Sequence, residues 1–164
     1  MTAKAPPSGL TKLGFKIPMW LYRAHLGFLF GGRVFAVVHH GRKSGKRYVS
    51  GLEVLIRRDG ELFVFSAWGT RADWFRNIEA GGVDELWDGR ERYPGATFRV
   101  LEPDEADNVI AAYEQQHPRT AARTLPRMLE GYDGSEANRR RLAEDGTIVA
   151  FRPAESDRGS TDRS

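Results

Sequence analysis

The chain has 164 residues and 18.5 kDa, enough for one domain that buries roughly 70% of its unfolded surface and too little for two comfortable cores. Its 40% apolar residues can supply that core, and 29% charged with 11% aromatic residues exclude a disordered composition. Cysteine is absent, which excludes disulfide scaffolds, thiolate metal sites, iron–sulfur clusters and a cysteine nucleophile. The net charge of +3 is unevenly laid out. Residues 1–50 hold nine Lys or Arg and no acid, the first being Glu53, while the remaining 114 residues carry 16 basic and 22 acidic groups. Such segregation points to an anionic partner for the first third: a phosphorylated cofactor, a nucleic acid or an acidic membrane surface. A plainly solvated basic face is the simpler alternative.

In chain order, Met1 to Thr11 reads as a loose leader without the pattern of a signal peptide, and the leader as a whole spans 1–14. Phe15 to Phe30 is an apolar stretch opened by Pro18 and interrupted by Arg23 and His25. It falls short of the ~20 residues that span a bilayer, so a packed helix over 15–30 is expected, with an interfacial helix on anionic lipid as the alternative. Gly31-Gly32 ends it. Val34–His40 is a β-rich run, and Tyr48–Arg58 and Glu61–Ala67 are two further strands around Asp59-Gly60, a strong hairpin signal. A short helix is expected from Arg71 to Ala80, with Thr70 as its N-cap and Gly81-Gly82 as its stop. Val83–Trp87, a turn at Asp88-Gly89 and Glu91–Leu101 form a second hairpin, with Pro94 marking an edge or a bulge. Glu102–Gln116 is an amphipathic helix burying Ala106, Val109, Ile110 and Tyr113. Two short helices, Arg119–Glu130 and Ser135–Glu144, flank Gly131, and Thr147–Phe151 is a last strand before a polar tail over 154–164, expected to be disordered. Strands joined by tight turns favour an antiparallel sheet or small barrel with flanking helices.

Three groups of residues carry candidate chemistry. The segment Gly41-Arg-Lys-Ser-Gly-Lys-Arg47 puts four cations, two glycines and a hydroxyl between two strands. Glycine lets backbone N–H groups approach an anion, Arg offers a planar fork and Lys a point charge, so the loop suits phosphate or carboxylate. It lacks the spacing of a phosphate-binding P-loop, and a charged hairpin loop without a ligand is the plain alternative. The histidines are His25, His39, His40 and His117. Neighbouring His39 and His40 on a strand face opposite sides and cannot jointly chelate an ion, so no metal is expected. Finally, Ser66-Ala-Trp-Gly69 at a strand end and Trp74-Phe-Arg-Asn77 on the next helix can converge on a flat heteroaromatic ring; an ordinary helix–sheet contact is the alternative.

Taken together, Gly41-Arg-Lys-Ser-Gly45, Val49-Ser-Gly-Leu-Glu-Val54, Asp59-Gly60, Ser66-Ala-Trp-Gly69 and Asp73-Trp-Phe-Arg-Asn77 resemble the deazaflavin-dependent nitroreductase family of actinobacterial oxidoreductases. The resemblance runs from about Trp20 to Pro153. It implies an α+β, mainly β, split β-barrel related to FMN-binding flavin reductases, as one domain over 15–153, with reduced coenzyme F420 (the 8-hydroxy-5-deazaflavin) as hydride donor. By that resemblance Arg42, Lys43 and Ser44 hold the cofactor's phosphate and acidic tail. Tyr48, Val49, Ser50, Gly51, Leu52 and Glu53 form the strand beneath tail and ring. Ser66, Ala67, Trp68 and Gly69 stand beside the deazaflavin, and Trp74, Phe75 and Asn77 lie on the helix that closes the site. Nitroimidazole-activating members carry tyrosines where this chain has Gln116-His-Pro-Arg-Thr120, and Gly51 stands where proline is common.

The expectation is therefore a cytoplasmic F420-dependent oxidoreductase passing a hydride to a small quinone, enone or nitro-type acceptor, with His117 or Tyr113, or water, as proton donor. An FMN-binding or FMN-reducing protein of the same fold is the first alternative. A non-enzymatic basic module on an anionic or membrane surface is the second. Nucleic acid is not an expected partner, and peripheral contact with the inner face of the plasma membrane through the 15–30 helix stays open.

Overall fold

The computed structural model describes residues 32–154; the expected leader, the helix over 15–30 and the tail beyond Ala154 lie outside the described residues. Seven strands form one antiparallel sheet, β1 (Val34–His40), β2 (Arg47–Arg58), β3 (Glu61–Phe65), β4 (Glu85–Asp88), β5 (Glu91–Pro94), β6 (Thr97–Val100) and β7 (Ile148–Arg152), in the order β5-β4-β1-β2-β3-β7-β6. Four helices accompany it: α1 (Asp73–Gly81), α2 (Pro103–Gln116), α3 (Pro118–Met128) and α4 (Glu136–Asp145). The sheet curls into a half-closed, split β-barrel.

The long strand β2 organises both halves. It pairs with β1 over its first part and with β3 over its last, and the register slips between Val54 and Ile56. Val54 opposes Val64 and Ile56 opposes Phe63, so Leu55 is an extra residue, a β-bulge. The bulge re-aims the side chains. Leu52 and Val54 join an inner core with Phe35, Val37, Leu62, Val64, Phe75, Ile78 and Phe151. Leu55 and Ile56 join an outer core with Phe63, Ile148 and the buried faces of α2, α3 and α4. On α2 these are Ala106, Val109, Ile110 and Tyr113, the i, i+3, i+4, i+7 set of one helical stripe.

The β2–β3 turn has the geometry that its residues demand: Asp59 and Gly60 both take positive φ, 53° and 76°, as a primed two-residue turn requires. Two expectations are corrected. Thr70 does not cap α1: Gly69–Arg71 forms a 3₁₀ turn, the Gly69 carbonyl accepts from Ala72 N–H, and Ala72 is the N-cap without a side-chain bond. The run Glu91–Leu101 is two strands, because Gly95 at φ 69° breaks it; β5 then pairs with β4 at one edge and β6 with β7 at the other. Pro94 lies on the edge strand β5, where a missing N–H costs the sheet nothing. Helix α1 docks through Phe75 and Ile78, three residues apart and both buried. Each contributes roughly 1.5–3 kcal/mol by burial, which fixes the face that α1 turns toward the β1–β2 loop.

Candidate functional site

The loop over 41–46 joins β1 to β2 and is closed by its own backbone. Gly41 N–H donates to the Lys46 carbonyl at 2.8 Å, and Gly45 N–H, at φ 65°, donates to the Gly41 carbonyl at 2.7 Å. A side chain at Gly41 would make Ser44 and Tyr48 shift. A Cβ there would lie 2.6 Å from Ser44 Oγ and 2.7 Å from Tyr48 Cε2. Ser44 Oγ in turn meets Tyr48 Oη at 3.4 Å and accepts from Lys46 N–H at 3.3 Å.

Arg42 is tied to α1. Its backbone N–H donates to Asn77 Oδ1 at 3.2 Å, its Nη1 to the same oxygen at 2.9 Å, and its Nη2 to Asp73 Oδ1 at 3.2 Å. Asp73 and Asn77 are four residues apart and so share a helix face. The other end of the Asn77 amide, Nδ2, reaches His39 Nδ1 at 3.3 Å, and His39 Nε2 lies 2.9 Å from Ser50 Oγ. The His39 ring stacks on Tyr48 at 6.0 Å between centroids. A polar chain thus runs Ser50–His39–Asn77–Arg42–Asp73 along the inside of the hairpin. Burial, with neighbouring His40 adding to it, lowers the His39 pKa to about 4, so the ring is neutral across the physiological range.

Strand alternation sorts the expected β2 residues onto two faces. By the β1–β2 register, Tyr48, Ser50 and Leu52 share the inner face with His39, Val37 and Phe35. Leu52 is buried in the inner core, whereas Tyr48 is 44% exposed. Val49, Gly51 and Glu53 take the other face with Val38, Ala36 and Val34. There Gly51 and Glu53 are exposed, and Glu53 pairs with Arg33 at 3.6 Å. The segment over 66–69 is a tight turn: Ser66, buried, donates through Oγ to the Gly69 carbonyl at 2.7 Å, and Gly69 takes φ 56°. Ala67 is exposed, and Trp68 and Trp74, both half-buried, pack at the border of the inner core. Trp74 lies 5.7 Å from Phe75 and 6.1 Å from Phe151 between ring centroids. Helix α1 therefore carries both the aromatic border and the amide that holds Arg42.

Tyr113 and His117 are elsewhere. Tyr113 is buried in the outer core, where burial raises its pKa against a hydrogen bond with Thr124 that lowers it. His117 is exposed at the junction of α2 and α3, its ring 5.9 Å from that of Tyr113. Arg33, reaching Thr120 Oγ1 at 3.5 Å, connects this junction to Glu53 on the outer face of β2. The structure thus brings Arg42, Ser50 and Asn77 into one network and sets Tyr113 and His117 apart from it, ring to ring. From the sequence His39 is weighed only as a candidate metal ligand, and set aside as one, so its place in the network is missed. A signal was present: His39 shares the parity of Phe35 and Val37, so it had to point inward. Among the described residues no group of three or more His, Asp or Glu side chains could hold a metal ion, and no helix is long and apolar enough to cross a membrane.

No family model matches the chain, and no curated protein matches it. Among solved structures, it is similar to an F420-H2 dependent reductase (FDR-A), at 18% identity over 72% of this chain and 93% of the other, with a TM-score of 0.46. It is similar to HutZ, a heme storage protein from Vibrio cholerae, at 13% identity over 87% and 92% of the two chains, TM-score 0.48. It is also similar to a Clostridium acetobutylicum protein of the pyridoxine phosphate oxidase family, at 10% identity over 82% and 84%, TM-score 0.42. Similarity at this level assigns no residue a role.

Proposed function

We propose that this chain is a deazaflavin-dependent oxidoreductase of the cytoplasm, holding reduced coenzyme F420 by its anionic tail and serving a small electrophilic acceptor such as a quinone, an enone or a nitroaromatic. The observation that carries the reading is the 41–46 loop. Arg42 is preorganised there by Asn77 and Asp73, while Lys43 and Lys46 are exposed and form no ion pair with any described residue. One fixed fork and two uncommitted point charges fit a phosphodiester followed by carboxylates. When bound, the reduced cofactor supplies the hydride. The chain supplies placement. Arg42, Lys43, Ser44 and Lys46 take the tail, and the indoles of Trp68 and Trp74 offer apolar surface to a flat ring. Solvent water, or His117 exposed at the α2–α3 junction, supplies the product's proton, whereas Tyr113 is buried in the outer core.

Fluorescence titration of the purified protein with oxidised coenzyme F420, in parallel with FMN, tests this. The expected result is binding at roughly tens of micromolar or tighter, weakened by added salt, with FMN the weaker ligand, followed by oxidation of the reduced coenzyme on addition of menadione. No binding of coenzyme F420 in that range ends the reading, and tighter binding of FMN moves it to the flavin alternative.

A further inference from the structure

We propose that His39 is a positioning residue for the anion-binding loop: its Nδ1 lone pair orients the Asn77 amide so that the opposite end of that amide holds Arg42. This rests on the reading that the loop binds a cofactor tail, although the first arm of its test needs no cofactor.

Hydrogen-bond polarity fixes the arrangement. Asn77 Oδ1 accepts from Arg42 N–H at 3.2 Å and from Arg42 Nη1 at 2.9 Å, and an amide nitrogen could accept neither. The amide nitrogen Nδ2 therefore faces His39 Nδ1, 3.3 Å away, which must offer a lone pair. The ring proton then sits on Nε2 and is donated to Ser50 Oγ at 2.9 Å. With a proton on Nδ1, two donors would face each other, and turning the Asn77 amide to relieve them would point its nitrogen at the Arg42 donors. His39 and Asn77 are only 2% and 7% exposed, so water does not readily replace either partner. Burial favours the neutral ring that this role needs. The charged or titratable groups around the ring are His40 on its own strand, Tyr48 stacked from β2, and Arg42 with Asp73 beyond the amide.

A histidine that merely fills space behaves differently from one that supplies an acceptor, and three substitutions separate the two. His39→Asn puts a carboxamide oxygen about where Nδ1 stands. His39→Gln puts its polar end about where Nε2 stands, and His39→Leu keeps only bulk. Backbone amide exchange at Arg42 is measured by NMR in the absence of cofactor, with thermal midpoints as a fold check. The expected result is about a tenfold loss of Arg42 protection in His39→Leu and His39→Gln, and less than about a threefold loss in His39→Asn. The dissociation constant for oxidised coenzyme F420 should follow the same order. Equal Arg42 protection in all three variants overturns the proposal, as does a His39→Gln that matches His39→Asn. If His39→Leu does not fold, the Asn–Gln comparison decides alone. Should the wild-type protein bind no coenzyme F420, the functional reading fails while the exchange order still upholds or overturns the positioning role.

Discussion

One imidazole in this protein is asked to stay neutral in a place where water cannot reach it. The His39 pKa falls from 6.5 to about 4 on folding, because burial penalises the charged ring and His40 stands next to it. Between those pH values the unfolded chain binds a proton that the folded chain does not. Stability from this group is therefore complete above pH 6.5 and is lost as pH falls through about 4, by at most about 3 kcal/mol. The buried Glu61 and nearby Glu105 act in a lower window. Hydrogen bonds from Arg99 hold both carboxyls below their usual 4.5, so their contribution is present above that value and disappears only in stronger acid. Urea unfolding at a series of pH values should show both limbs, and His39→Asn should flatten the upper one alone. A slope between pH 4 and 6.5 that survives this substitution would contradict the assignment. At this scale the cations of the 41–47 loop were legible because residue type alone marks a candidate anion site. The bond from His39 to Asn77 was not, since it joins residues 38 positions apart and no local spacing encodes it.

The joints between elements carry the next set of constraints. Gly146 links α4 to β7 at φ −88°, a value open to any residue, yet a Cβ there would lie 2.5 Å from the Leu142 carbonyl oxygen and 2.7 Å from Phe65 Cε2. A backbone oxygen of a helix cannot step aside. Gly146→Ala should therefore lower the unfolding free energy by about 1–3 kcal/mol through overpacking, with the denaturant midpoint shifting and the slope unchanged. An unshifted midpoint would mean that the α4–β7 joint has slack the geometry does not show. Element boundaries were readable where local chemistry decides them. Asp59-Gly60 gave the β2–β3 hairpin because both residues accept positive φ, and the apolar stripe of α2 fell on four buried positions. They were unreadable where tertiary pairing decides. Nothing between Glu91 and Leu101 except Pro94-Gly95 says that one β-rich run must divide between the two edges of the sheet. The start of α1 shifted because Gly69–Arg71 spends its first turn as a 3₁₀ segment.

At the scale of the described residues, charge segregated along the chain is partly re-paired in space. Acids from later elements return to the basic first third: Glu53 to Arg33, Asp73 to Arg42, and Asp84 with Glu85 to Arg47. What stays uncommitted in the loop is Lys43 with Lys46, and the electrostatic part of ligand binding should reside there. The double substitution Lys43→Glu/Lys46→Glu is expected to weaken coenzyme F420 at least about tenfold at low salt and to remove most of the salt dependence. Its thermal midpoint should stay put, because both side chains lie on the surface. Titrations at two ionic strengths check this, and an unchanged affinity would remove the loop from the binding site. The bulge at Leu55 bears on how the molecule comes apart. One strand furnishes Leu52 and Val54 to the sheet-side cluster and Leu55 and Ile56 to the helix-side cluster, so neither cluster can melt while that backbone keeps its shape. The two are therefore expected to behave as one cooperative unit: indole emission, to which Trp68, Trp74 and Trp87 contribute together with Trp20, and far-ultraviolet ellipticity, which reports α2, α3 and α4, should trace a single superimposable transition.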